Sequence, residues 1–349
     1  MTLVPTESPR DVDADILKPG FRRKLYERLK RSIGNTPLFP LEGIDVGRNC
    51  KVYVKAEYLN PSGSHYDREM VRLLESLEAN RLIQPGVTQM LETTTGNSGS
   101  SFAWLCRVLG YPPPSIVIPS DMPRSRRRQI ASFGAHLIES ASGQYISGIE
   151  DSFGAIYTAQ KDRPPEEKFY CPKHWDDEFH CIAGMHECGL EIVRQVEELG
   201  IELDCFVFAL GNGSSARGVG EILRPRGVTL YGMEPSESPI VAEMQQRVGF
   251  EIALPIAGRQ HGILGTGPSE QRQVYKNMRV AAEMLKDITH VSTSEAAEMQ
   301  IELMDRAFLH IGMSSAACIV GIRKLVEKHG LRHQNIGTIF YDSAWKYLD

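Results

Sequence analysis

The chain has 349 residues, 42% of them hydrophobic and 24% charged, an ordinary globular composition. Such a length can bury a large core, in one large domain or two coupled ones. A formal charge of −5, an isoelectric point near 6.1 and a mean hydropathy of −0.26 argue against nucleic acid or an acidic membrane as partner. No apolar run reaches the length of a membrane span. Met1 to Arg10 lacks a basic-then-apolar leader pattern, and the seven cysteines are scattered along the chain. Both features predict a cytoplasmic protein with reduced thiols.

Met1 to Gly20 is polar and punctuated by proline, and reads as a loose or partner-swapped arm. Val52 to Lys55 reads as a strand. Asp67 to Asn80 follows as a helix, with Met70, Leu73, Leu74 and Leu77 on one face. Further strands are expected at Thr88 to Leu91 and Ser115 to Ile118, and helices at Ser100 to Leu109 and Arg124 to Phe133. In the second half, helices are expected at Glu191 to Leu199, Ala216 to Leu223, Glu295 to Leu309 and Ala316 to His329. Strands are expected there at Cys205 to Ala209, Thr229 to Met233 and Gly337 to Tyr341. This alternation predicts an α/β fold, with parallel sheets covered by helices and ligands at the carboxyl ends of strands. No internal repeat is visible.

Four loops rich in small donors lie where strands should end. Asn60 to Arg68 reads, alone, as a turn and helix cap. Thr93 to Gly99 exceeds what one cap requires, and suits a carboxylate or phosphate at a helix start. Gly211 to Ser215 permits close backbone approach to a phosphate. Glu234, roughly 20 residues on, keeps a dinucleotide open, although the third glycine is displaced to Gly218. Gly312 to Ala316 reads, alone, as an N-cap.

Taken together, these loops resemble the fold-type-II pyridoxal-phosphate family, the cysteine synthase, cystathionine β-synthase and serine or threonine dehydratase group. Ser32-Ile33-Gly34-Asn35-Thr36-Pro37-Leu38 looks like the family's opening signature, and Lys55-Ala56-Glu57 with Asn60 to Ser64 like the approach to its lysine. Thr94-Thr95-Gly96-Asn97-Ser98-Gly99 resembles the loop that holds the substrate carboxylate, its Asn meeting the cofactor's phenolic oxygen. Gly211, Asn212, Gly213, Ser214 and Ser215 resemble the phosphate cradle, Glu234-Pro235 an acid-proline pair, and His261 to Gly265 a mobile segment. Ser314 falls where the family meets the pyridine nitrogen, and Tyr341-Asp342-Ser343 resembles its closing strand. The match runs from about Arg31 to Leu348 in the family's order, which explains Glu234 without a ribose.

The resemblance implies two doubly wound open-sheet domains of the tryptophan synthase β-like type. The larger would comprise residues 1–50 and 163–349, the smaller residues 51–162. It also implies an amino-acid substrate, a homodimer and reaction at the β-carbon of a serine- or cysteine-like compound. One position departs: the family's Ser-x-Lys-Asp-Arg is here Ser64-His65-Tyr66-Asp67-Arg68. That lysine holds the cofactor as an imine and moves the substrate's α-proton; a phenol with a reference pKa of about 10 cannot do the first and is poorly suited to the second. Three explanations stand open: noncovalent or other chemistry with Tyr66 and His65 handling protons, a pseudoenzyme that binds a metabolite or partner, or an introduced substitution.

Two other groups are weighed. Cys171, His174, His180, Cys181, His186 and Cys188 match no zinc spacing and read as structural or incidental; the resemblance implies a place between a cofactor-facing loop and a helix, from which His180 or His186 would approach a substrate. Arg124, Arg126, Arg127 and Arg128 read as a solvated helix face, the alternative being contact with an anionic substrate or a subunit.

Overall fold

A computed structural model describes residues 18–141, 145–164, 167–242, 256–257, 261–267, 270–271 and 275–348. The expected N-terminal arm lies, up to residue 17, outside them. The chain opens with α1 (Pro19–Ser32), β1 (Leu38–Pro40), β2 (Lys51–Lys55), α2 (Tyr66–Ala79), β3 (Leu91–Thr93) and α3 (Asn97–Val108). It continues through β4 (Ser115–Pro119), α4 (Arg124–Ser132), β5 (His136–Ser140), α5 (Tyr145–Ala159), α6 (His180–Glu198), β6 (Cys205–Ala209), α7 (Ser214–Leu223) and β7 (Thr229–Pro235). After two short strands, β8 (Ile256–Ala257) and β9 (Glu270–Gln271), come α8 (Lys276–Met284), β10 (Asp287–Val291), α9 (Thr293–Ala307), α10 (Met313–His329) and β11 (Asn335–Ile339).

A six-stranded sheet has the order β1-β2-β11-β6-β7-β10 and is parallel except for its edge strand β1. A separate three-stranded parallel sheet has the order β3-β4-β5. Each sheet carries its own buried cluster. Phe206, Phe208, Leu230 and Ile339 belong to the first; Met70, Leu74, Phe102 and Ile116 to the second. Strand β2, inside the expected smaller unit, pairs with β11 in the large sheet. No described helix is long and apolar enough to cross a membrane, and all seven cysteines are free thiols.

Helix α6 starts at His180, eleven residues before the expected Glu191. Its Cys181, Met185, Cys188 and Ile192 form one buried stripe, but Gly184 and Gly189 hide the helix from propensity. A Cβ on Gly184 would meet the Arg68 backbone oxygen at 2.4 Å, and one on Gly189 would meet Ile222 at 2.8 Å. Close packing against α2 and α7 therefore requires both glycines.

The same packing aligns a buried ion network. Arg68, 2% exposed, forks onto Glu57 at 2.7 and 2.8 Å and onto Glu191 at 2.9 and 2.6 Å. Lys55 Nζ donates to Glu191 at 2.8 Å and to the Thr36 carbonyl at 2.6 Å. Burial alone would raise the Glu57 carboxyl, but the Arg68 guanidinium outweighs it and holds the group at about 2. Arg68→Met leaves two carboxylates without their main counter-ion, and should cost on the order of 3–5 kcal/mol. Urea unfolding of the purified variant checks this; an unchanged midpoint would refute the anchoring role.

Candidate functional site

Three strand ends converge on one cleft. The turn after β2 is held by Asp67, which accepts from the Ser62 backbone N–H at 2.7 Å and from the Ser62 hydroxyl. Gly63, at φ +86°, closes it with a 2.7 Å bond to the Asn60 carbonyl. Ser64 then bridges to Asp342, which lies just beyond β11. With Asp67 and Arg68 fixed, Tyr66 opens α2 with its half-buried ring turned to the cleft. Burial and the nearby Glu69 carboxylate push its phenol far above the ordinary value, so the group keeps its proton. The His65 ring centroid lies 4.2 Å from that of Tyr66. Burial depresses His65 to about 4, against the pull of Glu57 and Asp342, leaving a neutral imidazole whose Nδ1 has no partner.

The loop after β3 spends several of its donors on itself. Thr94 Oγ1 accepts from Gly96 N–H at 2.8 Å and from Gly99 N–H at 2.9 Å, and lies 2.8 Å from Ser98 Oγ. Gly96, at φ +146°, lets this reversal happen. Asn97 Nδ2 donates to Asp342 Oδ2 at 2.6 Å, and the Tyr347 hydroxyl donates to the same oxygen. The loop expected from sequence to hold a carboxylate is thus closed on itself, with Thr94 as its internal cap.

After β6, Gly213 sits at φ +91° as the cap of α7. Added Cβ atoms would meet the Gly265 carbonyl oxygen at 2.4 Å from Gly211 and Met278 backbone atoms at 2.5 Å from Gly213. Gly211, Asn212 and Ser215 line the cleft, and Asn212 Nδ2 is a buried donor without a partner. That donor set, at a helix start, suits a phosphate. Ser214 lies beneath it: its backbone N–H donates to Asn212 Oδ1 at 3.0 Å and its hydroxyl to Glu69 Oε1 at 2.7 Å. Glu69 is fully buried, and burial raises it to about 7 against the Ser214 hydroxyl and His174.

The cleft has an outer cavity of about 500 Å³ and an inner slot of about 50 Å³. Both are bordered by Tyr66, Thr95, Ser98, Gly211, Asn212, Gly265 and Thr266. Thr94 borders the outer part only; His65, Asn97, Ser215 and Ser314 border the inner one. Gly96, Gly213 and Ser214 shape the walls without lining either part. The structure thus gathers the expected site residues around a single space.

Sequence reasoning placed three groups differently. His180 stays out of the cleft, its ring 2.7 Å from Ser76 Oγ and 2.8 Å from Asp177 Oδ2; His186 pairs with Glu221 at 2.6 Å. His174 lines the outer cavity instead, raised by Glu92, 3.2 Å away, although burial opposes the shift. Arg126 is not part of a solvated face: it is 3% exposed and borders the inner slot, while Arg124 and Arg128 are exposed. Its position on α4 next to Ile130, four residues on and also buried, was the available signal. Glu69, Lys173, Trp175 and Tyr275 carried no motif. Among the described residues, no cluster of His, Cys, Asp and Glu could hold a metal ion.

The chain is similar to known proteins along most of its length. The profile of a family described as pyridoxal-phosphate dependent enzyme covers residues 29–342. Cysteine synthase B of Campylobacter jejuni is 28% identical over 328 residues, covering 93% of this chain and 98% of that protein. A cysteine synthase of Staphylococcus aureus is 26% identical, with 93% and 96% covered. Among solved structures, a hydrogen sulfide-producing enzyme of Fusobacterium nucleatum superimposes with TM-score 0.76 at 26% identity, covering 94% of this chain and 91% of that one. An O-acetylserine dependent cystathionine beta-synthase of Helicobacter pylori gives 0.75 at 25%, with 92% and 96% covered. The fold is the cysteine synthase or tryptophan synthase β-like one that the sequence resembled, and the chain belongs to the pyridoxal-phosphate-dependent enzyme family, a membership that indicates pyridoxal phosphate as its cofactor.

Proposed function

We propose that this chain is a cysteine synthase-like enzyme acting at the β-carbon of a serine- or cysteine-like amino acid, by replacement or elimination, with pyridoxal phosphate held noncovalently. The carrying observation is Tyr66, which stands at the junction of both parts of the cleft and carries no amine. The unpartnered Asn212 Nδ2 and the glycine-lined cradle support the cofactor's phosphate, and Asn97 and Ser314 would meet its ring. Gly211, Gly213 and Ser215 would complete the phosphate site, and Thr95 with Ser98 would face the substrate carboxylate. A homodimer in a reducing compartment belongs to the same reading.

When bound, pyridoxal phosphate supplies an electron sink that acidifies the α-proton of an amino acid. The chain's own part is to orient and to move protons. His65, unprotonated near neutrality, is the base within reach of the inner slot; Tyr66, locked in its protonated form, donates a hydrogen bond. A second reading, a metabolite-binding protein without turnover, draws on that same locked phenol and on a His65 depressed to about 4, which makes a weak base. Turnover of serine, cysteine or their activated esters, followed as released ammonia, sulfide or new amino acid, separates the two.

The noncovalent link has a direct test. After incubation with pyridoxal phosphate, borohydride reduction and digestion should leave every lysine unlabelled, including Lys173, which borders the outer cavity. Tyr66→Lys should gain a visible band that borohydride abolishes. A label on Lys173 or any other lysine of the unmodified chain overturns the noncovalent reading.

Glu69 beneath the cradle adds a pH dependence. Its folded pKa of about 7 exceeds that of a solvated glutamate, so the folded state holds an extra proton between those values. The resulting stabilisation is complete below pH ~4 and is lost as pH rises through 7. Between pH 5 and 8 the chain should lose on the order of 2–3 kcal/mol relative to Glu69→Gln. Urea midpoints of both proteins across that range check it; parallel curves would show that Glu69 is ionised throughout.

A further inference from the structure

Arg126 stands out among the charged groups of the cleft. It is 3% exposed, and among the described residues no carboxylate lies within 4.0 Å of its guanidinium. One terminal nitrogen donates to the Thr95 carbonyl and the other to the Tyr347 hydroxyl, while the guanidinium carbon sits 4.3 Å from the Tyr347 ring centroid. Its Nε has no partner. The nearest acid along this chain of contacts is Asp342, reached only through the Tyr347 hydroxyl and already accepting from Asn97. Asp342 also offsets a second buried cation, Lys346, whose Nζ lies 3.3 Å from the Gly63 carbonyl. A buried guanidinium without direct pairing is costly unless something anionic completes it.

The surroundings say what that anion is. Arg126 borders the inner slot with Thr95, Asn97 and Ser98, and a Cβ on Gly96 would come within 2.5 Å of it, so the loop is cut to admit the guanidinium. A water needs about 10–15 Å³, so a slot of about 50 Å³ that opens on the outer cavity admits a carboxylate-sized planar group. Part of the loop's donor set is committed: Gly96 and Gly99 N–H to Thr94, and the Asn97 amide to Asp342. The donors that remain are neutral, so a carboxylate arriving there gains its charged partner from Arg126, whose guanidinium presents N–H groups in the plane that a carboxylate matches.

We propose that Arg126 binds the carboxylate of the substrate in the inner slot, and that this charge pairing selects free amino acids over their neutral derivatives. The assignment rests on the reading of the cleft as an amino-acid site. Hydroxyls of Thr95 and Ser98 then orient the carboxylate that Arg126 holds, and the rest of the molecule extends into the outer cavity.

Isothermal titration with L-serine, L-serinamide and acetate tests it on the full chain, alongside Arg126→Gln, Arg126→Lys and the exposed-site variant Arg128→Gln. L-serine should bind the unmodified chain and Arg128→Gln alike, with L-serinamide weaker by about 10- to 100-fold, the worth of a charge-assisted hydrogen bond. Arg126→Gln should lose that preference, and Arg126→Lys, which keeps the charge, should retain part of it; the lysine variant also carries the test if the glutamine variant fails to fold. Serine binding equally to Arg126→Gln and the unmodified chain overturns the anion site and leaves the amino-acid reading intact. Acetate binding that depends on Arg126, with no serine binding, upholds the anion site and overturns the amino-acid reading. Binding of neither overturns both.

Discussion

The pairing of Arg68 with Glu57 and Glu191 sets the geometry on which the cleft depends. Residue 66 is two positions upstream of that guanidinium, at the first turn of α2, and Asp67 between them is tied to Ser62. A helix pinned at its start has little freedom over where its first side chain points. Glu57 comes from the turn after β2 and Glu191 from α6, so the network joins the large sheet, the helix and the turn into one rigid corner. Whatever residue stands at 66 is delivered to the junction of the two cavities. The scaffold is indifferent to its chemistry, which is how a tyrosine can occupy the place without disturbing the fold.

The electrostatic consequences differ from those of an amine. A lysine at 66 would bring a basic nitrogen to the middle of the cleft; the phenol, held protonated by burial, brings only a dipole. His65 is neutral for the same reason, and Glu69 is near half-ionised at neutral pH. Among the described residues, the fixed positive charge bordering the inner slot is Arg126. Removing an amine from such a site shifts the work of attracting an anion onto whichever cation remains, and onto the backbone N–H groups of the cradle.

Much of the fold was legible because its signals are local. Cys205 to Ala209 is an unbroken apolar run and matches β6 residue for residue, and the stripe of Met70, Leu73, Leu74 and Leu77 placed α2 to within one residue. The helix starts of α3 and α7 were read two or three residues late, because Asn97 to Gly99 and Ser214 to Ser215 enter the first turn without apolar periodicity. Strand β3 was displaced from Thr88 to Leu91 onto Leu91–Thr93, where pairing with β4 decides the register rather than any propensity. Helices α1, α5 and α8 and strands β1, β5 and β10 went unread. The loops of the site were legible as motifs; Arg126 was legible only as a lesser alternative and the roles of Glu69 and His174 not at all, since what distinguishes all three is burial, a property of tertiary packing.

That distinction separates building from binding inside the motifs themselves. Thr94 looks like a ligand residue in sequence, yet its hydroxyl closes the loop by accepting two backbone N–H groups. Ser214 looks like part of a phosphate cradle, yet its hydroxyl turns down to Glu69. In both cases a hydroxyl buried among backbone donors at a helix start is satisfied locally, because an unsatisfied one would cost more than a ligand contact returns. Of the buried polar atoms without a partner, Asn212 Nδ2, His65 Nδ1 and Arg126 Nε belong to residues that border the inner slot. Buried polar atoms are ordinarily satisfied, so three orphans around one space mark it as the place where a ligand has most to offer.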